Sequence, residues 1–238
     1  MLFRSERSGT IWLRRYIRIK PLIEMRRATR QPPSWSAIML KAFGIASMRV
    51  PQLRWSYLGF PWGRLHEMPH SVGSVVIDRE YQGEHAVFCA PLLHPEQLSL
   101  GDIHRKVESW KNEPVEQHGP LRRLIRTTKL PLPLRRFAWW FGLNGSGYLR
   151  GRHFGTFAIN SLAGMRGKIM QMCFPVTTLI YYGVPDRDGS MPLQSGFDHR
   201  VYDGYTAARA IGELENVLNT DILEEIRTLQ DSRQLVAA

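Results

Sequence analysis

Two β-branched runs, Ser71–Asp78 and Ala86–Leu92, are joined through the Gly-containing turn Tyr81–Glu84. Residues of that type fit a pleated, half-buried surface, and such a turn between two such runs makes them a strand pair. The chain is thereby committed to a sheet, and segments 155–160, 176–183 and 191–198 are expected to extend it. Three stretches read instead as helices. Ser34 precedes apolar residues on helical spacing over about 35–48, with Pro51 beyond the end. Ser99-Leu100-Gly101-Asp102 has a capping-box-like start to a helix reaching about Lys111. In the third, about 204–218, Tyr205, Ala208, Ile211, Leu214 and Leu218 recur on helical spacing, which predicts a core face. The expected fold class is α/β (α+β), a mixed β-sheet covered by helices.

A chain of 238 residues can bury one sizeable core, so a single domain over 1–238 is expected. Hydrophobic residues at 43% and charged residues at 22% place it among globular proteins. Cys89 and Cys173 both sit in apolar surroundings and read as buried free thiols of a reducing compartment. No Cys-x-x-Cys spacing occurs, and no metal is expected. No run of 18 apolar residues occurs, and the N-terminus lacks the apolar region of a secretory signal. The expected location is cytoplasmic. Ile11 to Ile19, apolar residues interleaved with arginines, reads as either a helix or a strand docking on the domain.

The segment Phe197-Asp198-His199-Arg200-Val201-Tyr202-Asp203-Gly204 lies where a strand gives way to a helix. A histidine followed four positions later by an aspartate suits a general base: Asp203 can orient the His199 imidazole and stabilise it once charged, and Gly204 allows a tight turn. The plainer reading makes Asp203 the cap of the following helix.

This segment resembles the H-x-x-x-D-G signature of the chloramphenicol acetyltransferase-like acyltransferases, most closely the D-H-R-x-x-D-G of the catalytic domain of 2-oxoacid dehydrogenase acyltransferases. Gly155-Thr156-Phe157-Ala158-Ile159-Asn160-Ser161-Leu162 resembles the family's G-T-F-x-I-[ST]-x-L strand. There a hydroxyl hydrogen-bonds the oxyanion of the tetrahedral intermediate. Asn160 stands at the hydroxyl position, with Ser161 after it. Successive strand side chains point to opposite faces, so one of the two faces the site. An Asn amide can donate to an oxyanion, which favours Asn160 over Ser161. The helix after Ser34 and the strand pair at 71–92 match family segments in the same order. The resemblance implies a two-layer fold and a homotrimer with the site between subunits. It also implies acyl transfer from a thioester donor, acyl-CoA or acyl carrier protein, to a hydroxyl, thiol or amine acceptor. Coenzyme A or the acyl carrier would act as co-substrate, with no tightly bound cofactor. Neither the D-K-A lysine of a lipoyl domain nor a low-complexity linker is present, so a free-standing acyltransferase is expected.

Net charge is +11, with arginine used far more than lysine. Acyl-CoA phosphates, an acidic carrier and an anionic membrane would each suit that charge. Nucleic acid would too, but no nucleic-acid module is present and none is expected as partner. Residues 113–152 form an insertion relative to the family, in which arginines alternate with large apolar residues over 121–141 before the Gly-rich stretch Gly142–Gly151. One reading is an interfacial helix in peripheral contact with a membrane, with a small-molecule or lipid-like acceptor. The other is aromatics filling the core or a subunit interface. The alternative for the whole chain is a non-catalytic acyltransferase-like scaffold, favoured by Asn160 and opposed by His199, Asp203 and Gly204.

Overall fold

The expected strand pair is a ten-residue-per-strand hairpin, β4 (Val72–Tyr81) and β5 (Glu84–Leu93), in antiparallel register from Val72↔Leu93 to Tyr81↔Glu84. The computed structural model describes residues 9–161 and 175–237. Cys173 and Leu162 lie outside them.

The N-terminal segment is a strand. β1 (Thr10–Arg18) runs antiparallel to β8 (Ser190–Asp198), with Thr10 opposite Asp198. β6 (Phe157–Ser161) lies parallel to β4 and to β7 (Thr178–Tyr182), and β7 is antiparallel to β8. The result is a mixed six-stranded sheet of order β1-β8-β7-β6-β4-β5. A separate two-stranded sheet pairs β2 (Trp55–Leu58) with β3 (Arg64–Glu67).

Five helices pack on one face of the large sheet: α1 (Lys20–Ala28), α2 (Trp35–Arg49), α3 (Leu100–Asn112), α7 (Gly204–Asn219) and α8 (Asp221–Ala237). Ser34 caps α2 by accepting from the Ala37 amide, and Ser99 caps α3 by accepting from that of Asp102. α2 buries residues around much of its circumference, Ile38, Leu40, Phe43 and Ala46 among them, because it lies in the middle of this layer. The opposite face carries a smaller cluster of Ala158, Val176, Leu179 and Tyr181, with Trp12 and Phe154 packed against it.

One expectation changes. On α7 the buried stripe is Ala207, Ala210, Ile211, Leu214, Val217 and Leu218, whereas Tyr205 is 77% exposed and Ala208 is also exposed. The first turn projects past the core, so the helix buries the neighbouring stripe. The Gly-rich stretch 142–151 is mostly helical, divided between α5 (Leu132–Asn144) and α6 (Gly147–Phe154), which follow α4 (Gly119–Thr128). Its glycines serve close packing. A Cβ at Gly147 would come within 2.2 Å of the His66 ring, and one at Gly151 within 2.6 Å of the Met68 side chain.

Candidate active site

Asp198 ends β8 and organises the turn that leads into α7. Its carbonyl oxygen accepts from the Val201 amide at 2.9 Å. Its carboxylate takes the Arg200 guanidinium on both oxygens, at 2.9 and 2.6 Å, and the Arg200 backbone amide at 3.0 Å. Burial favours the protonated form of Asp198. The hydrogen bonds and charge of Arg200, with the charge of Arg150, outweigh burial and hold the carboxyl below the usual aspartate range. The Arg200 guanidinium also lies 4.4 Å from the centre of the Tyr57 ring. Tyr202 stacks on Phe197 at 5.1 Å and shares a 2.7 Å hydrogen bond with the Thr178 hydroxyl; burial pushes its phenol up.

His199 sits at the apex of this fixed turn. Its backbone amide donates to the Gly9 carbonyl at 2.8 Å, while its ring is exposed, 6.1 Å from that of Phe197. Among the described residues the imidazole makes no hydrogen bond. Asp203 is the N-cap of α7 and accepts from the Thr206 amide at 2.8 Å. Its carboxyl is held low first by Thr206, with the charge of His199 the smallest contribution. Gly204 opens α7 without a positive φ, and a Cβ there would meet nothing within 4 Å. Within one chain, the turn does not require a glycine.

The second pair of candidates lies on β6. Asn160 is buried on the face shared with Ala158, Leu179 and Tyr181; Ser161 is partly buried on the opposite, helix-covered face with Ile159 and Tyr182. Each is hydrogen-bonded to the tyrosine directly across on β7, Asn160 to Tyr181 and Ser161 to Tyr182. Burial raises both phenols, and these hydrogen bonds partly offset it. Ser161 also lines a cavity of about 440 Å³ with Ser36, Tyr182, Ile77, Ile159, Asp78 and Lys111. Ser36 and Tyr182 share a 2.8 Å hydrogen bond within it.

The glycine that opens this strand motif has a backbone reason. Gly155 ends α6 at φ 97°, and a Cβ there would lie 2.7 Å from Ser74 Oγ and 2.9 Å from the Phe157 carbonyl oxygen.

Sheet register separates the two halves of the candidate site. Asn160, Tyr181 and Gln194 lie on one line across the sheet. His199 lies five residues beyond Gln194 along β8, which is roughly 17 Å of strand, and β8 stands roughly 10 Å from β6. A single chain therefore brings His199 near Asp203, but not near Asn160 or Ser161.

Two residues of this region, Arg150 and Tyr182, escape a reading of the sequence alone. Arg150 is buried, donates to the carbonyls of Pro175 and Tyr57, and is pulled down to about 10 by that burial. Nothing in the Gly-rich stretch around it announces a buried cation. Tyr182 is also found only through the register. Arg200 had a visible signal in its spacing of two from Asp198.

No family model matches the chain, and no curated protein matches it. Among solved structures it is similar to a dihydrolipoamide acetyltransferase of Azotobacter vinelandii, at a TM-score of 0.64 and 16% identity over 90% of this chain and 83% of that one. A probable dihydrolipoamide acetyltransferase from Listeria monocytogenes matches at a TM-score of 0.60 and 17% identity, over 90% and 85% of the two chains. Chloramphenicol acetyltransferase matches at 0.54 and 15%, over 89% of each. The chain has the chloramphenicol acetyltransferase-like fold.

Proposed function

We propose that this chain, built on the chloramphenicol acetyltransferase-like fold, is an acyltransferase that moves an acyl group from a thioester donor to a hydroxyl, thiol or amine acceptor. The observation that carries this reading is the turn 198–203. Asp198, Arg200, Tyr202 and Asp203 are tied to their surroundings, and only the His199 ring is presented bare to solvent. A rigid turn that presents an exposed imidazole, with the Asp203 carboxylate close enough to feel its charge, suits general-base catalysis. The Azotobacter protein supports it: a serine, a histidine and an asparagine four positions after that histidine have been tested there for roles in catalysis. His199 and Asp203 share that spacing.

His199 of one subunit takes the proton from the acceptor, which attacks the thioester carbonyl. The carbonyl oxygen gains negative charge and is held by Asn160 of a second copy, with Ser161 as the other candidate. The tetrahedral intermediate collapses, the carbon–sulfur bond breaks, and the thiolate leaves with the proton from the imidazolium. Asp203, four residues from His199, stabilises the charged ring. The separation of His199 from β6 within one chain favours a site completed by a neighbour, and a homotrimer, as the resemblance implies, is the assembly that fits this scheme. Gly204, with open space where a Cβ would stand, fits close approach of such a neighbour. The donor is acyl-CoA or an acylated carrier protein; no tightly held cofactor has a role in this scheme.

The test is thioester consumption by purified protein. Acyl-CoAs of increasing chain length and acyl-carrier donors are offered with candidate acceptors, and free thiol is followed beside His199→Ala. Acceptor-dependent thiol release lost in the variant is the expected result. Absence of release with both donor types overturns the reading in favour of a non-catalytic scaffold.

A further inference from the structure

Helix α5 buries none of its residues, although it contains Phe137, Trp139, Trp140 and Phe141. Trp139 faces inward and packs on Phe154 of α6 at 5.3 Å, which anchors the helix. Leu134, Phe137 and Phe141, at i, i+3 and i+7, form the outward stripe, and Phe137 is 61% exposed. Phe137 stacks on Phe141 at 6.1 Å. The β2–β3 hairpin extends this surface: Phe60 meets Trp140 edge-on at 5.0 Å, and Trp62 at its tip is 69% exposed. Arg64 bonds the carbonyls of Phe60 and Gly145, tying that tip to the end of α5.

The charge on the helices of this surface has one sign, and Glu67 on β3 is paired with Arg54. α4 and α5, with Lys129 between them, carry Arg122, Arg123, Arg126, Lys129, Arg135 and Arg136 and no acidic residue; none occurs between Glu116 and Asp186. On α4, Leu121 is buried and Leu124 and Ile125 pack against the core, leaving Arg122, Arg123 and Arg126 exposed. Exposed aromatics beside arginines on one amphipathic unit suit the boundary between acyl chains and headgroups.

We propose that α4, α5 and the β2–β3 hairpin form a docking surface for an anionic lipid membrane, independent of the acyl-transfer chemistry. Core packing does not explain the aromatics, because α5 buries none of its residues. A second copy docking face to face through the same surface would bring the same cluster of positive charges against itself, which disfavours a two-fold contact, and a head-to-tail contact in the trimer is separated from membrane docking by the sedimentation test below. An anionic bilayer meets both features at once.

The test is co-sedimentation of the full chain with phosphatidylcholine vesicles containing or lacking phosphatidylglycerol. Binding is expected only with phosphatidylglycerol and weakens with added salt. Arg122→Glu with Arg126→Glu reduces it at least about fivefold per replaced arginine. Phe137→Ser with Phe141→Ser reduces it too, and neither pair lowers the unfolding temperature, because these side chains are exposed. Three results would overturn the proposal: no binding, equal binding to both vesicles, or unchanged binding by the phenylalanine pair. A fourth is dissociation of an oligomer by that pair in sedimentation velocity, which would make the surface an interface between copies.

Discussion

Arg200 grips Asp198 through both carboxylate oxygens, at 2.9 and 2.6 Å, across only one intervening residue, and that residue is His199. The pair shapes the turn and leaves the imidazole between its partners free. Asp198 is 7% exposed, whereas Arg200 reaches solvent, so removing the carboxylate charge leaves a guanidinium that water can still solvate. Asp198→Asn is expected to cost about 1 kcal/mol in chemical denaturation. The Asp198 carboxylate binds its proton more weakly in the folded chain than in the unfolded one. Its contribution is therefore complete above the ordinary aspartate value of about 3.9 and is lost as pH falls through the depressed folded value. Denaturation midpoints measured from neutral pH into that acid range should fall more steeply for wild type than for Asp198→Asn. Parallel curves would place the acid sensitivity elsewhere.

His199→Ala should lower acceptor-dependent thiol release by roughly 10² to 10⁴. The ring is exposed and makes no hydrogen bond among the described residues, so the unfolding temperature should not move. Activity within tenfold of wild type would remove His199 from the mechanism.

Asn160 and Ser161 point to opposite faces of β6, so single substitutions separate their roles. Asn160→Ala should lower kcat by roughly 10² to 10³, the loss expected for one oxyanion donor. With the 440 Å³ cavity lined by Ser161 taken as the pocket for the donor's acyl chain, Ser161→Ala should act mainly on the donor's KM and chain-length preference. The reverse split would assign the oxyanion to Ser161.

Gly155→Ala should destabilise the chain by about 1–3 kcal/mol, measured by denaturant unfolding. At φ 97° an L side chain is strained, and its Cβ would collide with Ser74 Oγ and two backbone oxygens. Gly204→Ala meets no such contact within one chain and should leave monomer stability unchanged. A loss of the proposed trimer in sizing experiments would then report on the neighbour.

What the sequence determined was local. Ser34 and Ser99 mark helix starts because their hydroxyls satisfy amides of the first turn, whatever the rest of the chain does. The β-branched runs at 72–92 pair as a hairpin because a short turn leaves them no other neighbour of equal reach. The motif residues were legible as types: a histidine, an aspartate four positions on, and a polar residue after Ile159. Their partners were not, because ion pairs and hydrogen bonds across strands depend on register, which no local pattern contains. The capping role of Asp203 was one of the two local readings, and the tertiary structure gave Arg200 to Asp198. It set Tyr181 and Tyr182 against Asn160 and Ser161, and left His199 at the far end of the sheet from both. It also settled the aromatics of α5. Their spacing suits either a core or a surface, and only the packing of Trp139 on Phe154 turns the Leu134, Phe137 and Phe141 stripe outward.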